Sequence, residues 1–305
     1  THGFLLDEKG MKMAKSGKNA VSPDKIADQS GAEIIRLWVG GADFTEDMRI
    51  GPEVIKSSTD AYRKLRNTFR FLLGNLDGYD GENRVAPADM PELERYMLHK
   101  LSELDVLVRQ AYLDYDFKKV FHTLSNFMTV DLSALYFDIR KDALYCDPLS
   151  SPVRQACQTV MDEIFMCLTA WLAPIMTFTT EEVWLSRFPS EEGSVHLRTF
   201  PDVPADWQND VLASKWSKVR DLRRVVTGAL EIERREKRIG SSLEAAPTVY
   251  VSDENYIDAM AGIDLAEIAI TSQATLSTDA APVDAFTLED VVGVAVVPSL
   301  AVGNK

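Results

Sequence analysis

From about residue 53 to residue 172 the apolar residues recur on single helical stripes, one long segment after another, and this limits the fold more than any other feature. In "STDAYRKLRNTFRFLLGNL", Ala61, Leu65, Phe69, Leu72 and Leu76 fall at i, i+4, i+8, i+11 and i+15. At about 100° per residue they share one face, and Arg63, Arg66 and Arg70 lie on the other. A second helix begins near Pro91, with Leu93, Met97, Leu101, Leu104 and Val108 as its buried stripe. A third, Phe117 to Phe137, turns Phe121, Leu124, Met128, Leu132 and Leu135 inward. A fourth runs from about Val153 to Leu172 and stops ahead of Pro174. Thr179-Thr180-Glu181-Glu182 has the form of a capping box opening a short fifth helix with Trp184. Long helices with short connections predict a mainly α protein built on an up-and-down bundle.

The flanks differ. Thr1 to Asp7 has a strand pattern, and Glu8-Lys9-Gly10 is a turn into a lysine-bearing loop. Ser22-Pro23-Asp24 opens a helix that breaks at Gly31, resumes through "AEIIRLWV" and ends at Gly40-Gly41. "ADFTEDMRIGPE" is an irregular connection. After the bundle a last long helix spans about Gln208 to Arg238. Beyond Pro247, "TVYVS", "LAEIAITS" and "VGVAVVP" are strand-like, "DENYIDAMAG" is helix-like, and "STDAAPVDAFTLEDV" is an exposed loop. The predicted division is a leading α/β edge at 1–50, a helical bundle at 51–205, a basic helix and connector at 206–245, and a small α/β subdomain at 246–305. The chain begins without an initiator Met, as if a strand were already under way, and is expected to be cut from a longer one.

A net charge of −14 argues against non-specific coating of nucleic acid. Two local patches run the other way. "YRKLRNTFR" carries four cations and no acid, whereas a merely solvated helix face mixes signs. "KWSKVRDLRR", with Lys215, Lys218, Arg223 and Arg224, carries five cations against Asp221. Both are candidate contacts to a phosphate backbone. Cys146, Cys157 and Cys167 form no C-x-x-C pair and read as free thiols of a reducing cytosol, without zinc ligation. No apolar run is long enough for a membrane span.

Enzyme motifs are sparse. His2, His99, His122 and His196 are scattered, and no Walker A, G-x-G-x-x-G or G-x-S-x-G occurs. Lys12 and Lys15 in "GMKMAKSGKN" suit one chemistry. When a nucleoside triphosphate is attacked and pyrophosphate departs, charge builds on the leaving phosphates. Two ammonium groups on a loop can close on it. Gly10 and Gly17 permit close backbone approach, and Ser16 and Asn19 suit hydrogen bonds to the phosphates or to the closed loop.

These words carry a resemblance. Lys12-Met13-Ala14-Lys15-Ser16, followed by Asn19, Pro23 and Gly31-Ala32-Glu33…Arg36…Trp38, resembles the K-M-S-K-S signature loop and following helix of class I aminoacyl-tRNA synthetases. "DMRIGPEVIKSSTDAYRKLRNTFRFLLGNL", "YDFKKVFHTLSNFMTVDLSALYFDIRKDALYCD", "LAPIMTFTTEEVW" and "IGSSLEA" resemble the isoleucyl enzymes of bacteria in particular. The resemblance implies an anticodon-binding-type bundle behind the edge of a catalytic domain, and ATP-dependent ligation of isoleucine to tRNA(Ile). It implies that Lys15 touches ATP, that Lys12 assists at the phosphates, and that the arginine face contacts tRNA. It also implies Mg2+ with ATP in the whole enzyme, a zinc site outside this chain, a monomer, and a cytoplasmic location. Ala14, Gly17-Lys18 and Glu33 depart from the usual Ser, Leu-Gly and Asp. The H-I-G-H element and the editing insert fall outside the chain, so adenylate formation by it alone is not expected. A valyl, leucyl or methionyl relative, or a non-catalytic helical RNA-binding protein, are the alternatives.

Overall fold

A computed structural model describes residues 2–14 and 19–302. Contacts divide the chain into two compact units, Thr1–Gln208 and Asn209–Lys305. The division differs from the four segments expected. The first fifty residues pack with the bundle, and the long basic helix packs with the small sheet.

In the first unit a short strand, β1 (Leu5–Leu6), pairs in parallel with β2 (Met48–Arg49), which lies inside the connection expected to be irregular. Between them, helices α1 (Pro23–Ser30) and α2 (Ala32–Gly41) meet at Gly31, whose φ of +91° ends one helix and redirects the chain into the next. The bundle follows as α3 (Pro52–Asn75), α4 (Glu92–Leu113), α5 (Phe117–Asn126), α6 (Phe137–Cys146), α7 (Pro152–Leu172) and α8 (Thr177–Arg187). α7 is the central helix, packed on α3, α4, α6 and α8. The expected stripes are buried on α4 and the third helix, and on α3 from Leu65 to Leu76, with Ala61 half-buried. Trp171, Phe69, Phe127, Phe165 and Tyr136 fill the core between them.

The third helix is not uniform. Residues Phe127–Tyr136, between α5 and α6, form a π-helical stretch. The Met128 carbonyl accepts the Ser133 hydroxyl at 2.8 Å and the Thr68 hydroxyl of α3 at 3.3 Å. Side-chain hydroxyls thus satisfy a carbonyl of the widened turn. Beside it lies a polar pair in the core: Arg140 grips Glu94 through two bonds of 2.7 Å, with both residues buried.

The capping box at Thr179 is not formed. α8 begins at Thr177, and the Thr180 hydroxyl donates back to the Met176 carbonyl. Glu181, one residue short of the box position held by Glu182, accepts from the Ser194 hydroxyl and the Val195 amide. The Thr179 amide is met instead by the Glu33 carboxylate of α2, at 2.7 Å.

The second unit is a four-stranded sheet in the order β4-β3-β6-β5, covered by the long helix. Its elements are α9 (Asp210–Arg235), β3 (Thr248–Val251), α10 (Glu254–Met260), α11 (Leu265–Ala269), β4 (Thr275–Ser277), β5 (Phe286–Leu288) and β6 (Val291–Val297). β3 runs parallel to β4 and antiparallel to β6, with Thr248 opposite Val297 and Val251 opposite Val294. Trp216, Val219, Leu222, Val226 and Leu230 of α9 are buried, as are Val249, Val251, Val294 and Val296 of the sheet. Two expectations fail here. "LAEIAITS" starts as a helix because Asp264 caps the amides of Ala266 and Glu267. The stretch expected to be an exposed loop contains Ser277 of β4 and all of β5.

Cys157 and Cys167 are buried and Cys146 is exposed. Burial pushes both inner thiols far above their ordinary range, which leaves them protonated and inert. A thiol reagent at neutral pH is expected to label Cys146 alone until the chain is unfolded. Labelling of all three in the native state would contradict this packing.

Candidate nucleotide loop and nucleic-acid interface

The lysine loop has a braced base. The Asp7 amide donates to the Met11 carbonyl at 2.9 Å, the Met13 amide donates to Leu5, and Lys12 bridges antiparallel to Leu6. Gly10 turns this hairpin at φ +77°. The Asp7 carboxylate then collects the amides of Lys9 and Met11 and the Asn19 side-chain NH2, the last at 3.0 Å. Asn19 in turn accepts the Ala14 amide at 3.1 Å and reaches the Lys12 carbonyl at 3.3 Å. Asn19 therefore ties the two ends of the loop together. Lys12 is exposed, its Nζ 4.4 Å from the centre of the Phe4 ring. Lys15 and Ser16 lie outside the described residues.

Sequence reading missed Arg49. It stands on β2 with its guanidinium beside Gly10, where an added Cβ would meet Nη2 at 3.5 Å. This brings a further exposed cation to the loop base, beside Lys9 and Lys12. Spacing along the chain gives no hint of it, because the parallel pairing of two 2-residue strands makes the neighbourhood.

The hydrogen bond from Asn19, and after it the Met11 amide, holds the Asp7 carboxyl below the usual carboxylate value. A depressed value means that the folded loop favours the ionised form. Its contribution is complete above about pH 4 and is lost as pH falls through the depressed value. The Met11 amide resonance should therefore titrate with a midpoint below that of an ordinary aspartate. Asp7→Asn should abolish the transition, and a midpoint at the ordinary value would refute the bracing.

The motif after the loop is structural. Arg36 donates to the carbonyls of Ile175 and Pro174 at 2.9 and 2.7 Å, beyond the end of α7. Trp38 donates to the Arg49 carbonyl at 3.2 Å, and Glu33 meets α8 as described. Together they dock α2 onto the bundle and onto β2. The larger Glu33 side chain still reaches its amide partner.

The arginine face of α3 is open. Arg63, Arg66 and Arg70 are all exposed. Arg63 has Asp60 at 3.4 Å; among the described residues Arg66 and Arg70 have no acidic partner within ion-pair distance. Both line a groove of about 300 Å³ against α8, with Asn67, Thr179, Glu182 and Ser186. The second patch is placed differently. Lys215 donates to the Ala261 carbonyl at 3.0 Å, Lys218 sits 4.6 Å from the Tyr256 ring centre, and Arg223 donates to Ile268 at 2.7 Å. Arg224 bridges Asp221 at 3.2 Å and Asp290 at 2.8 Å. The cations on α9 are thus engaged with the rest of their own unit. One-dimensional charge counts cannot separate such docking cations from free ones.

Among the described residues no cluster of three or more His, Cys, Asp or Glu side chains is placed to hold a metal ion, and no helix is long and apolar enough to cross a membrane. His99 lies buried on α4, with Nε2 3.4 Å from Glu103.

Residues 94–250 match the family described as the anticodon-binding domain of tRNA ligases. The chain belongs to that family. Residues 1–51, which carry the lysine loop, match the class I tRNA synthetases for isoleucine, leucine, methionine and valine. Over its full length the chain is 57% identical to an isoleucine–tRNA ligase of Brucella abortus, and it spans 31% of that relative. The corresponding enzyme of Agrobacterium fabrum is 54% identical over the full chain, again with 31% of the relative covered. Among solved structures, a leucyl enzyme from Agrobacterium radiobacter, in a ternary complex with tRNA and LeuAMS, matches with a TM-score of 0.55 and 14% identity. That match covers 68% of this chain and 24% of the other, and it speaks to the fold alone. The chain thus spans about a third of the length of its curated relatives.

Proposed function

We propose that the chain is the part of an isoleucine–tRNA ligase that grips tRNA(Ile) and carries the loop that closes on the phosphates of ATP. The observation that carries the reading is the open arginine face of α3, which joins the segment matching the class I synthetases (1–51) to the segment matching the anticodon-binding domain (94–250). Arg66 and Arg70 make the principal backbone contacts, and Arg63, half-satisfied by Asp60, a lesser one. Lys215, Lys218, Arg223 and Arg224 hold the second unit together, and any contact they make to tRNA is secondary.

At the loop, isoleucine attacks the α-phosphorus of ATP and pyrophosphate leaves. Lys12, with Lys15 by resemblance, stabilises the charge gathering on the departing phosphates. Ser16 is assigned to the phosphates by resemblance. Asn19 acts by holding the loop ends, and Arg49 adds charge at the base. Mg2+ enters this reading as the partner of ATP. The reading includes a cytoplasmic, monomeric enzyme.

Filter binding of the chain to isoleucine tRNA and to a non-cognate tRNA tests the proposal. Tighter binding of isoleucine tRNA, weakening steeply with salt, is the expected result. Equal and salt-independent retention of both would overturn it.

A further inference from the structure

We propose that the groove between α2, the start of α5 and the segment after α7 binds a small apolar carboxylate, a ligand class separate from ATP, isoleucine and tRNA. This site is independent of tRNA binding by the arginine face. The groove measures about 330 Å³, within the range of small-molecule sites. Ile35, Val39 and Gly40 of α2 line one side, Phe117 and Ile175 line the other, and the exposed Arg36 stands among them.

The walls are set by close packing. Gly40 lies so near the chain after α7 that an added Cβ would meet Ile175 Cγ2 at 3.2 Å, and Ile175 is itself buried. The Phe117 ring is held edge-on by Tyr112 at 6.1 Å and by Tyr115 at 6.3 Å. Tyr112 is anchored in turn by its hydroxyl, which donates to the Trp171 carbonyl at 2.6 Å. Val39 is 46% exposed and Ile35 is half-buried, so apolar surface remains in contact with water. A branched or aromatic body seated in the groove removes that surface from water, which drives binding.

Arg36 sets the polar end of the ligand. Its Nε donates to the Ile175 carbonyl at 2.9 Å and its Nη2 to the Pro174 carbonyl at 2.7 Å, which fixes the guanidinium plane. Among the described residues Nη1 has no hydrogen-bond partner, and no carboxylate lies within ion-pair distance of the guanidinium. A guanidinium already held in place meets a carboxylate at a smaller ordering cost than a free side chain does. No acidic residue lines the groove. An ammonium group would therefore face Arg36 without a countercharge, which excludes amines and disfavours amino acids. Apolar walls likewise disfavour a phosphate, which would lose water without gaining partners. One guanidinium beside apolar walls selects a monocarboxylate with a branched-chain or phenyl body.

Titration of the chain with 3-phenylpropionate, followed by the methyl resonances of Ile35 and Ile175, tests the site. Saturable shifts are expected at both residues. The neutral 3-phenylpropanamide should bind roughly 5- to 10-fold more weakly, because it lacks the charge that Arg36 meets. Val39→Glu places a carboxylate three residues from Arg36 on α2, where it engages the guanidinium and repels the acid. That variant should lose affinity for 3-phenylpropionate by a similar factor, while Val39→Gln, of the same size and uncharged, should bind the acid more tightly than Val39→Glu does. The exposure of Val39 leaves the core undisturbed in both variants. Absence of saturable shifts, equal affinity for acid and amide, or undiminished binding by Val39→Glu would overturn the site and leave the tRNA-binding reading untouched.

Discussion

Reversing Arg63, Arg66 and Arg70 to glutamate is expected to weaken tRNA binding by on the order of 100-fold at moderate salt, and to flatten its salt dependence. Each phosphate contact releases about 0.7 to 0.9 of a counterion, so losing three lowers the slope of log K against log salt by roughly 2 to 3. The contributions are unequal. Arg63 is already 3.4 Å from Asp60 and exposed, so its single reversal should do least. Arg66 and Arg70, which share the groove against α8, should account for most of the loss. All three side chains are exposed, so the fold should survive, and unchanged helicity is the control. A variant that binds tRNA with the original affinity and slope would remove the arginine face from the interface.

Arg140→Met is expected to have the largest effect on stability. Glu94 is fully buried, and the Arg140 guanidinium meets both its oxygens. Removing the cation leaves a carboxylate in the core without its main partner, at a cost of about 3–5 kcal/mol. For a unit of this size that corresponds to a fall of roughly 6–20 °C in Tm. The pair itself is another matter. Attraction between buried charges largely offsets the cost of taking both from water, so the double replacement Glu94→Leu with Arg140→Met should recover most of the loss. The two single variants and the double, followed by thermal unfolding, distinguish a pair that matters through its mutual satisfaction from one that does not matter. Little change in the Arg140→Met variant would refute the buried pair.

Much of the bundle was legible because a helix repeats every 3.6 residues and a buried stripe leaves that period in the sequence. The stripe from Phe121 to Leu135 is buried even though a π-helical stretch runs through it. That stretch was not legible, since it is made by Thr68 and Ser133 meeting one carbonyl across two helices. The Glu94–Arg140 pair was hidden for the same reason: the partners are 46 residues apart. Local rules misled where a tertiary partner competed. Thr179 and Glu182 have the spacing of a capping box, yet α8 has already begun at Thr177, and Glu33 reaches in from α2 to meet the amide of Thr179.

The candidate site divides the same way. The loop words and the arginine row were visible in the chain, whereas the role of Asn19 as a tie and the approach of Arg49 needed the fold. The second basic patch is the clearest lesson. Five cations in ten residues look like a nucleic-acid face, yet Lys215, Lys218, Arg223 and Arg224 are turned toward carbonyls, a ring and carboxylates of their own unit.

The most direct test of the account is a photo-cross-linking map between the chain and isoleucine tRNA, read by mass spectrometry of the modified peptides. The expected result is cross-links concentrated in the peptides spanning Tyr62–Arg70 and the facing part of α8. Cross-links confined to the unit after residue 208, with the α3 peptides unmodified, would contradict it.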